Sequence, residues 1–152
     1  MKVSLFGAGY VGLVTGAAFA EAGHTVLCVD TDEKKITALD QGNIPFYEPG
    51  LSELVSQHKA AGRLSFTADV AQAAAFGEAV FLAVGTPMGS DGAANLEFLF
   101  AAALSVATQR PAGDACLVVV KSSVPVGTGA RLAAFLQEHG AGHLVTASNP
   151  EF

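Results

Sequence analysis

The sequence predicts an α/β fold: a doubly wound, parallel, six-stranded sheet with helices on both faces. Three observations point there. Short apolar runs alternate along the chain with stretches of helical, 3.6-residue periodicity. Two of the runs, Ala79–Val84 and Ala115–Val120, contain no charged or hydroxyl side chain, as strands covered on both faces require. Each run is separated from the next by at least one helical segment, the connection that parallel strands need.

Lys2–Phe6 is the first β-rich run. Val11, Val14, Thr15, Ala18, Phe19 and Ala22 then fall on one helical face, and Gly23 ends that helix. Thr25–Val29 is the second strand, followed by a helix over Asp32–Gln41 that Gly42 stops. Asn43–Gly50, with two prolines, is loop. Leu51, Leu54, Val55 and His58 mark the next helix, closed by Gly62. Leu64–Thr67 is a short strand, and an alanine-rich helix starts at Asp69. The strand Ala79–Val84 leads into a loop, Gly85–Ala94. Leu96, Leu99, Phe100, Ala103, Leu104 and Ala107 form the next apolar stripe, with Asn95 as its N-cap. After the strand Ala115–Val120, a helix lies within Pro125–His139 and stops at Gly140. His143–Ala147 is the last strand.

At 152 residues the chain is one domain. With 51% hydrophobic and 14% charged residues, it holds enough apolar surface to offset the entropy of ordering. No apolar stretch is long enough for a transmembrane helix, and no secretory leader is recognisable, so a cytoplasmic protein with no membrane partner is expected. The net charge is -6 and the basic residues are scattered, which argues against nucleic acid as a partner. Cys28 and Cys116 sit in apolar runs and read as buried thiols. His24, His58, His139 and His143 lack metal-ligand spacing, so no metal site is expected. The sequence shows no internal repeat or low-complexity tail.

Gly7-Ala8-Gly9-Tyr10-Val11-Gly12 matches G-x-G-x-x-G between a strand and a helix, and Asp30 ends the second strand 18 residues past Gly12. Together these make the dinucleotide-binding fingerprint of a Rossmann-type sheet. Gly7 permits a tight turn. Gly9 lacks the Cβ that would keep a pyrophosphate from the backbone, and Gly12 lets the helix pack against the sheet. The pyrophosphate then meets free N–H groups at a helix N-terminus. Asp30 accepts hydrogen bonds from the adenosine ribose and repels a 2′-phosphate, favouring NAD over NADP. Lys35 either reaches the ribose or phosphates or is a solvated helix lysine.

The chain resembles the N-terminal domain of the UDP-glucose/GDP-mannose dehydrogenase family. The matching segments are GAGYVGL at 7–13, VDTDEKKI at 29–36, IPFYEPGL at 44–51, VGTP at 84–87, KSSVPVGT at 121–128 and SNPEF at 148–152. They span the chain in order, and IPFYEPGL is closer to the UDP-glucose branch. The resemblance implies oxidation of the C6 alcohol of UDP-glucose to UDP-glucuronate, with two NAD+ reduced in turn. It places the family's catalytic cysteine in a second domain absent from residues 1–152, so the chain alone is expected to bind NAD without turnover. Cys28 and Cys116 are not that nucleophile. A stand-alone nucleotide-binding module, or a relative acting on GDP-mannose or a UDP-N-acetylhexosamine, are the alternatives.

By the same resemblance, Tyr10 and Val11 offer backbone contacts to the pyrophosphate, and Val84, Gly85, Thr86 and Pro87 line the cofactor. Ser123 stands where the family commonly has threonine, a hydroxyl that holds water beside the reacting carbon. Ser122 either joins the cofactor site or, as Ser123 could, binds backbone near the following helix. Glu151 matches the glutamate of the PEF motif, which assists acid–base work on water. Lys121 points to the nicotinamide or pairs with an acid. A homodimer is implied for the full-length family member, and a monomer or weak dimer for this domain.

Overall fold

The computed structural model describes residues 1–151. Its elements run β1 (Lys2–Phe6), α1 (Tyr10–Glu21), β2 (Thr25–Val29), α2 (Glu33–Asp40), α3 (Leu51–Ala60), β3 (Leu64–Thr67), α4 (Val70–Phe76), β4 (Ala79–Leu82), α5 (Glu97–Gln109), β5 (Leu117–Val120), α6 (Thr128–Glu138) and β6 (Val145–Ser148). The strands form one parallel sheet in the order β3-β2-β1-β4-β5-β6. The chain winds outward from β1 to β3, then returns to β4 on the other side of β1. The order therefore reverses between β1 and β4, and a crevice opens at the carboxyl ends of those strands.

Alternation along the strands divides the core in two. Val3 and Leu5 of β1 and Val26 and Cys28 of β2 face α1, α2 and α3. Phe6, Leu27, Val29, Val80, Leu82, Val118 and Val120 face α4, α5 and α6. Ser4 is the polar exception in β1. Its hydroxyl is satisfied by donating to the Ala73 carbonyl of α4 at 2.7 Å. Buried Arg110, just past α5, donates to the carbonyls of Ala74 and Gly77 and pairs with Asp114 at 3.2 Å. It ties the ends of α4 and α5 together.

Several elements differ from the sequence expectation. The apolar stripe expected on α1 is not its buried face. The buried residues are Gly12, Leu13, Gly16, Ala17 and Ala20, while Ala18 and Ala22 are exposed. This helix is apolar nearly all round, so periodicity carries little information; small residues let it approach the sheet. On α5 the buried set is Leu99, Ala102, Ala103 and Val106, and Leu104 faces outward. Leu96 rather than Asn95 is the N-cap residue, but the Asn95 side chain accepts from the Glu97 N–H at 2.8 Å, so it still satisfies the helix start.

Three strands are displaced or shorter. β4 ends at Leu82, β5 starts at Leu117, and β6 runs to Ser148 because a turn from Ala141 to Leu144 precedes it. Cys116 thus lies just before β5 rather than in a strand; both cysteines are free and buried. Buried His58 is satisfied by Glu21 at 2.6 Å and by Arg63 at 3.2 Å. Nε2 of His143 is buried without a hydrogen-bond partner among the described residues.

Candidate functional site: the glycine turn and the ends of β1, β2 and β4

Gly7 follows β1 with φ +101°, a left-handed conformation that L side chains avoid, and its N–H donates to the Val29 carbonyl at 2.8 Å. A Cβ there would stand 2.4 Å from the Ala83 carbonyl oxygen. Gly12 is constrained differently from the expectation. Its absent Cβ would lie 1.8 Å from the Gly7 carbonyl oxygen, whereas Ala83 Cβ, just past the end of β4, is 3.6 Å away. Gly12 therefore lets α1 begin tight against the turn. The glycine that lets α1 lie on the sheet is Gly16, whose Cβ would meet Cys28 Sγ at 2.9 Å.

Gly9 is the opposite case. It has an ordinary extended backbone, φ −79°, and no protein atom lies within 4 Å of where its Cβ would be. Nothing in the protein itself requires glycine there. Gly9 is also the N-cap of α1, with no side-chain cap, and the first turn carries no acid. The positive end of the helix is open beside a position with no side chain.

Asp30 forms the rim. Its carboxylate accepts from the Ala8 N–H at 3.0 Å, the Asp32 N–H at 3.0 Å and Lys35 Nζ at 2.8 Å. Partial burial pushes its carboxyl up, but Lys35 and the two backbone donors outweigh burial and hold it below the usual carboxylate range. Lys35 is therefore not merely solvated: it pairs with Asp30 and lines the same cleft. Asp32 caps α2 by accepting from the N–H groups of Lys34 and Lys35, which fixes the helix that carries this lysine.

A cleft of about 360 Å³ opens beside Asp30, lined by Gly7, Thr31, Val70, Val84, Gly85 and Phe98 among others. Its far wall comes from α4 and α5, including Ala101 and Ser105. Val70, Phe98, Ala101 and Ser105 were not among the residues singled out from sequence. They lie far from the glycine motif in the chain and carry no distinctive chemistry, so only the topology brings them in.

The ends of β4, β5 and β6 make a second group. Thr86 Oγ1 donates to the Ser123 carbonyl at 3.0 Å, and Ser123 Oγ donates to the Glu151 carbonyl at 2.9 Å. Lys121 pairs with the Glu151 carboxylate at 3.0 Å, so of its two expected directions it takes the acid. The Ser122 hydroxyl binds backbone, at the end of β4 rather than at the start of the following helix. The residue is buried, and its hydroxyl lies 2.7 Å from the Val84 carbonyl and 3.1 Å from that of Leu82, bracing β5 to β4. Gly85 lines the cleft, while Pro87 accepts from the Asn95 N–H at 2.8 Å through its carbonyl and so anchors the 85–96 loop. Tyr10 opens α1, and its hydroxyl donates to Glu48 at 2.8 Å, a partner the sequence did not indicate. Among the described residues, no cluster of His, Cys, Asp and Glu could hold a metal ion.

The donor set fits a dinucleotide. The open α1 N-terminus and bare Gly9 suit a pyrophosphate, Asp30 suits a ribose, and the largely apolar cleft suits a planar ring.

Comparison with known proteins agrees. Residues 1–152 match the UDP-glucose/GDP-mannose dehydrogenase family, NAD binding domain. The whole chain is 49% identical to a UDP-glucose 6-dehydrogenase of Rhizobium meliloti (strain 1021), covering 35% of that protein. It is 44% identical to one of Pseudomonas aeruginosa, covering 34%. A GDP-mannose dehydrogenase from Pseudomonas aeruginosa, solved as a ternary complex, superposes with TM-score 0.93 at 32% identity, over 100% of this chain and 36% of that one. A UDP-glucose dehydrogenase from Pyrobaculum islandicum gives TM-score 0.87 at 40% identity, over 99% of this chain and 36% of that one. The chain spans about a third of the length of the curated relatives it matches. With this sheet order, this glycine turn and these matches over its full length, the chain belongs to the UDP-glucose/GDP-mannose dehydrogenase family, as its NAD-binding domain.

Proposed function

We propose that the chain is the N-terminal NAD-binding part of an enzyme that oxidises UDP-glucose to UDP-glucuronate, a precursor for polysaccharide assembly in the cytoplasm. The observation that carries the substrate is the identity, over the whole chain, to UDP-glucose 6-dehydrogenases. NAD, when bound, supplies the acceptor for hydride. The chain's residues supply its seat. The N–H groups of Tyr10 and Val11 at the α1 N-terminus hold the pyrophosphate, and Asp30 accepts from the ribose hydroxyls. Val84, Gly85, Thr86 and Pro87 shape the path from the cleft towards Ser123. Ser123 keeps one hydroxyl beside the reacting end of the site. Its proton goes to the Glu151 carbonyl, which leaves its lone pairs for a water. The Glu151 carboxylate, paired with Lys121, is the group to move a proton to or from that water.

On this reading the catalytic nucleophile and the sugar pocket lie in a further domain, which also carries the homodimer contacts. On the same reading neither nucleic acid nor a membrane is a partner, in keeping with the net charge of -6 and its scattered basic residues. Oxidation of GDP-mannose is the second reading, favoured by the superposition on the Pseudomonas aeruginosa GDP-mannose dehydrogenase. Residues 1–152 mixed with UDP-glucose and NAD+ should form no NADH. The complete protein expressed from its own gene should form it from UDP-glucose and not from GDP-mannose. Sustained NADH formation by residues 1–152 alone would contradict the assignment of the chemistry to a further domain. A complete protein that uses GDP-mannose and not UDP-glucose would contradict the substrate.

A further inference from the structure

Tyr10 does more than contribute backbone to the turn. Its hydroxyl donates to Glu48 at 2.8 Å, and its ring lies against Phe46 with centroids 5.1 Å apart. Phe46 and Glu48 thus both reach Tyr10, while Tyr47 between them is 87% exposed. The segment has few other ties. Asn43 donates to the Ala38 carbonyl and Leu51 to that of Glu48, but residues 44–47 make no hydrogen bond to any other described residue. Ile44 and Phe46 are partly buried and pack against the core cluster shared by α1, α2 and α3. A loop so sparsely bonded opens at low cost unless a specific contact holds it.

That contact comes from the first residue of α1, whose main chain faces the open end of the helix. We infer that Tyr10 is a positioning residue that couples the two: it holds the 43–50 loop against the glycine turn, so that cofactor binding and loop order stabilise each other. The inference rests on the cofactor reading above. An anion on the α1 N-terminus fixes the Tyr10 backbone, which fixes the ring and hydroxyl, which hold Phe46 and Glu48. Linkage makes the effect reciprocal: the factor by which NAD closes the loop equals the factor by which loop closure tightens NAD.

Chymotrypsin cleavage after the exposed Tyr47 reports loop opening in the intact 152-residue chain. Four chains are compared, with and without NAD: the wild type, Tyr10→Phe, Glu48→Ala and Gly9→Val. Loss of one exposed hydrogen bond should raise cleavage of unliganded Tyr10→Phe and Glu48→Ala about three- to tenfold. NAD should slow cleavage of the wild type, and Tyr10→Phe should lose much of that protection at saturating NAD. Gly9→Val should be cleaved like the wild type but gain no protection from NAD. The coupling is overturned if NAD binds the wild type without slowing cleavage, or if saturating NAD protects Tyr10→Phe as well as it protects the wild type. Should the wild type bind no NAD in the titration, the cofactor reading falls and the coupling with it. The binding titration thus separates the two failures.

Discussion

Gly9 and Gly12 stand three residues apart in one motif, yet the structure assigns them opposite dependences. Gly9→Val adds a side chain where no protein atom lies within 4 Å, on a backbone with φ −79°. Its cost to the fold is the loss of a favourable N-cap, about 1 kcal/mol. At roughly 2–4 °C per kcal/mol for a chain of this length, the melting temperature should fall by less than about 5 °C. Gly12→Ala places a methyl 1.8 Å from the Gly7 carbonyl oxygen. Gly7 cannot retreat, because Ala83 is packed behind it. Overpacking against backbone costs about 3 kcal/mol or more, so the fall should approach about 10 °C. Binding inverts the ranking. The valine side chain of Gly9→Val displaces the pyrophosphate from N–H donors that form charge-assisted bonds, each worth about 1.5–3 kcal/mol. Loss of two implies at least a hundredfold weaker NAD binding. The assays are thermal melts by circular dichroism and calorimetric titration with NAD at a temperature where each variant is folded. If Gly9→Val melts as low as Gly12→Ala, or binds NAD like the wild type, the account of the turn is wrong.

Gly16→Ala should destabilise through the 2.9 Å approach to Cys28 Sγ, and Cys28→Ala should recover much of the loss. A double-mutant cycle by urea unfolding should show a coupling of about 1 kcal/mol or more, and additive effects would contradict the packing of α1 on β2. Burial pushes the Cys28 thiol up to about 12, and burial likewise raises Cys116. Both should therefore resist a disulfide reagent at pH 8 in the folded chain and react once urea unfolds it. The Tyr10 phenol is held above its ordinary value by its hydrogen bond to Glu48, then by the charge of that carboxylate. With a raised folded value, this bond's contribution is full below the unfolded pKa and is lost as pH rises through the folded one. In Tyr47→Phe, which leaves one tyrosine, the phenolate absorbance should titrate above an ordinary tyrosine, and adding Glu48→Ala should bring it down.

The sheet and the turn were legible in sequence because each leaves a local signature. All six strands fall within or beside the expected runs, and Gly23, Gly42, Gly62 and Gly140 all follow the helices they were expected to stop, each with positive φ. What stayed hidden is non-local. The apolar stripe on α1 misled because the helix has hardly a polar side to define it, and the sheet selects the face with the smallest residues. The Lys35–Asp30 pair, the wall of the cleft from α4 and α5, and the Tyr10–Glu48 bond each join residues that periodicity cannot relate. Ser122 and Ser123 are adjacent and chemically identical. Only the geometry at the end of β5 turns one inward to the Val84 carbonyl and the other out to Glu151.

The central claim is that this chain binds NAD with Asp30 against the ribose. Isothermal titration of residues 1–152 with NAD and with NADP tests it most directly. Asp30 is held ionised by Lys35 and two backbone N–H groups, so it should repel a 2′-phosphate even though Lys35 offsets part of that charge. NAD should bind at least about tenfold more tightly than NADP, and Asp30→Ala should erase most of the difference. Equal or tighter binding of NADP, or a preference unchanged in Asp30→Ala, would contradict the account.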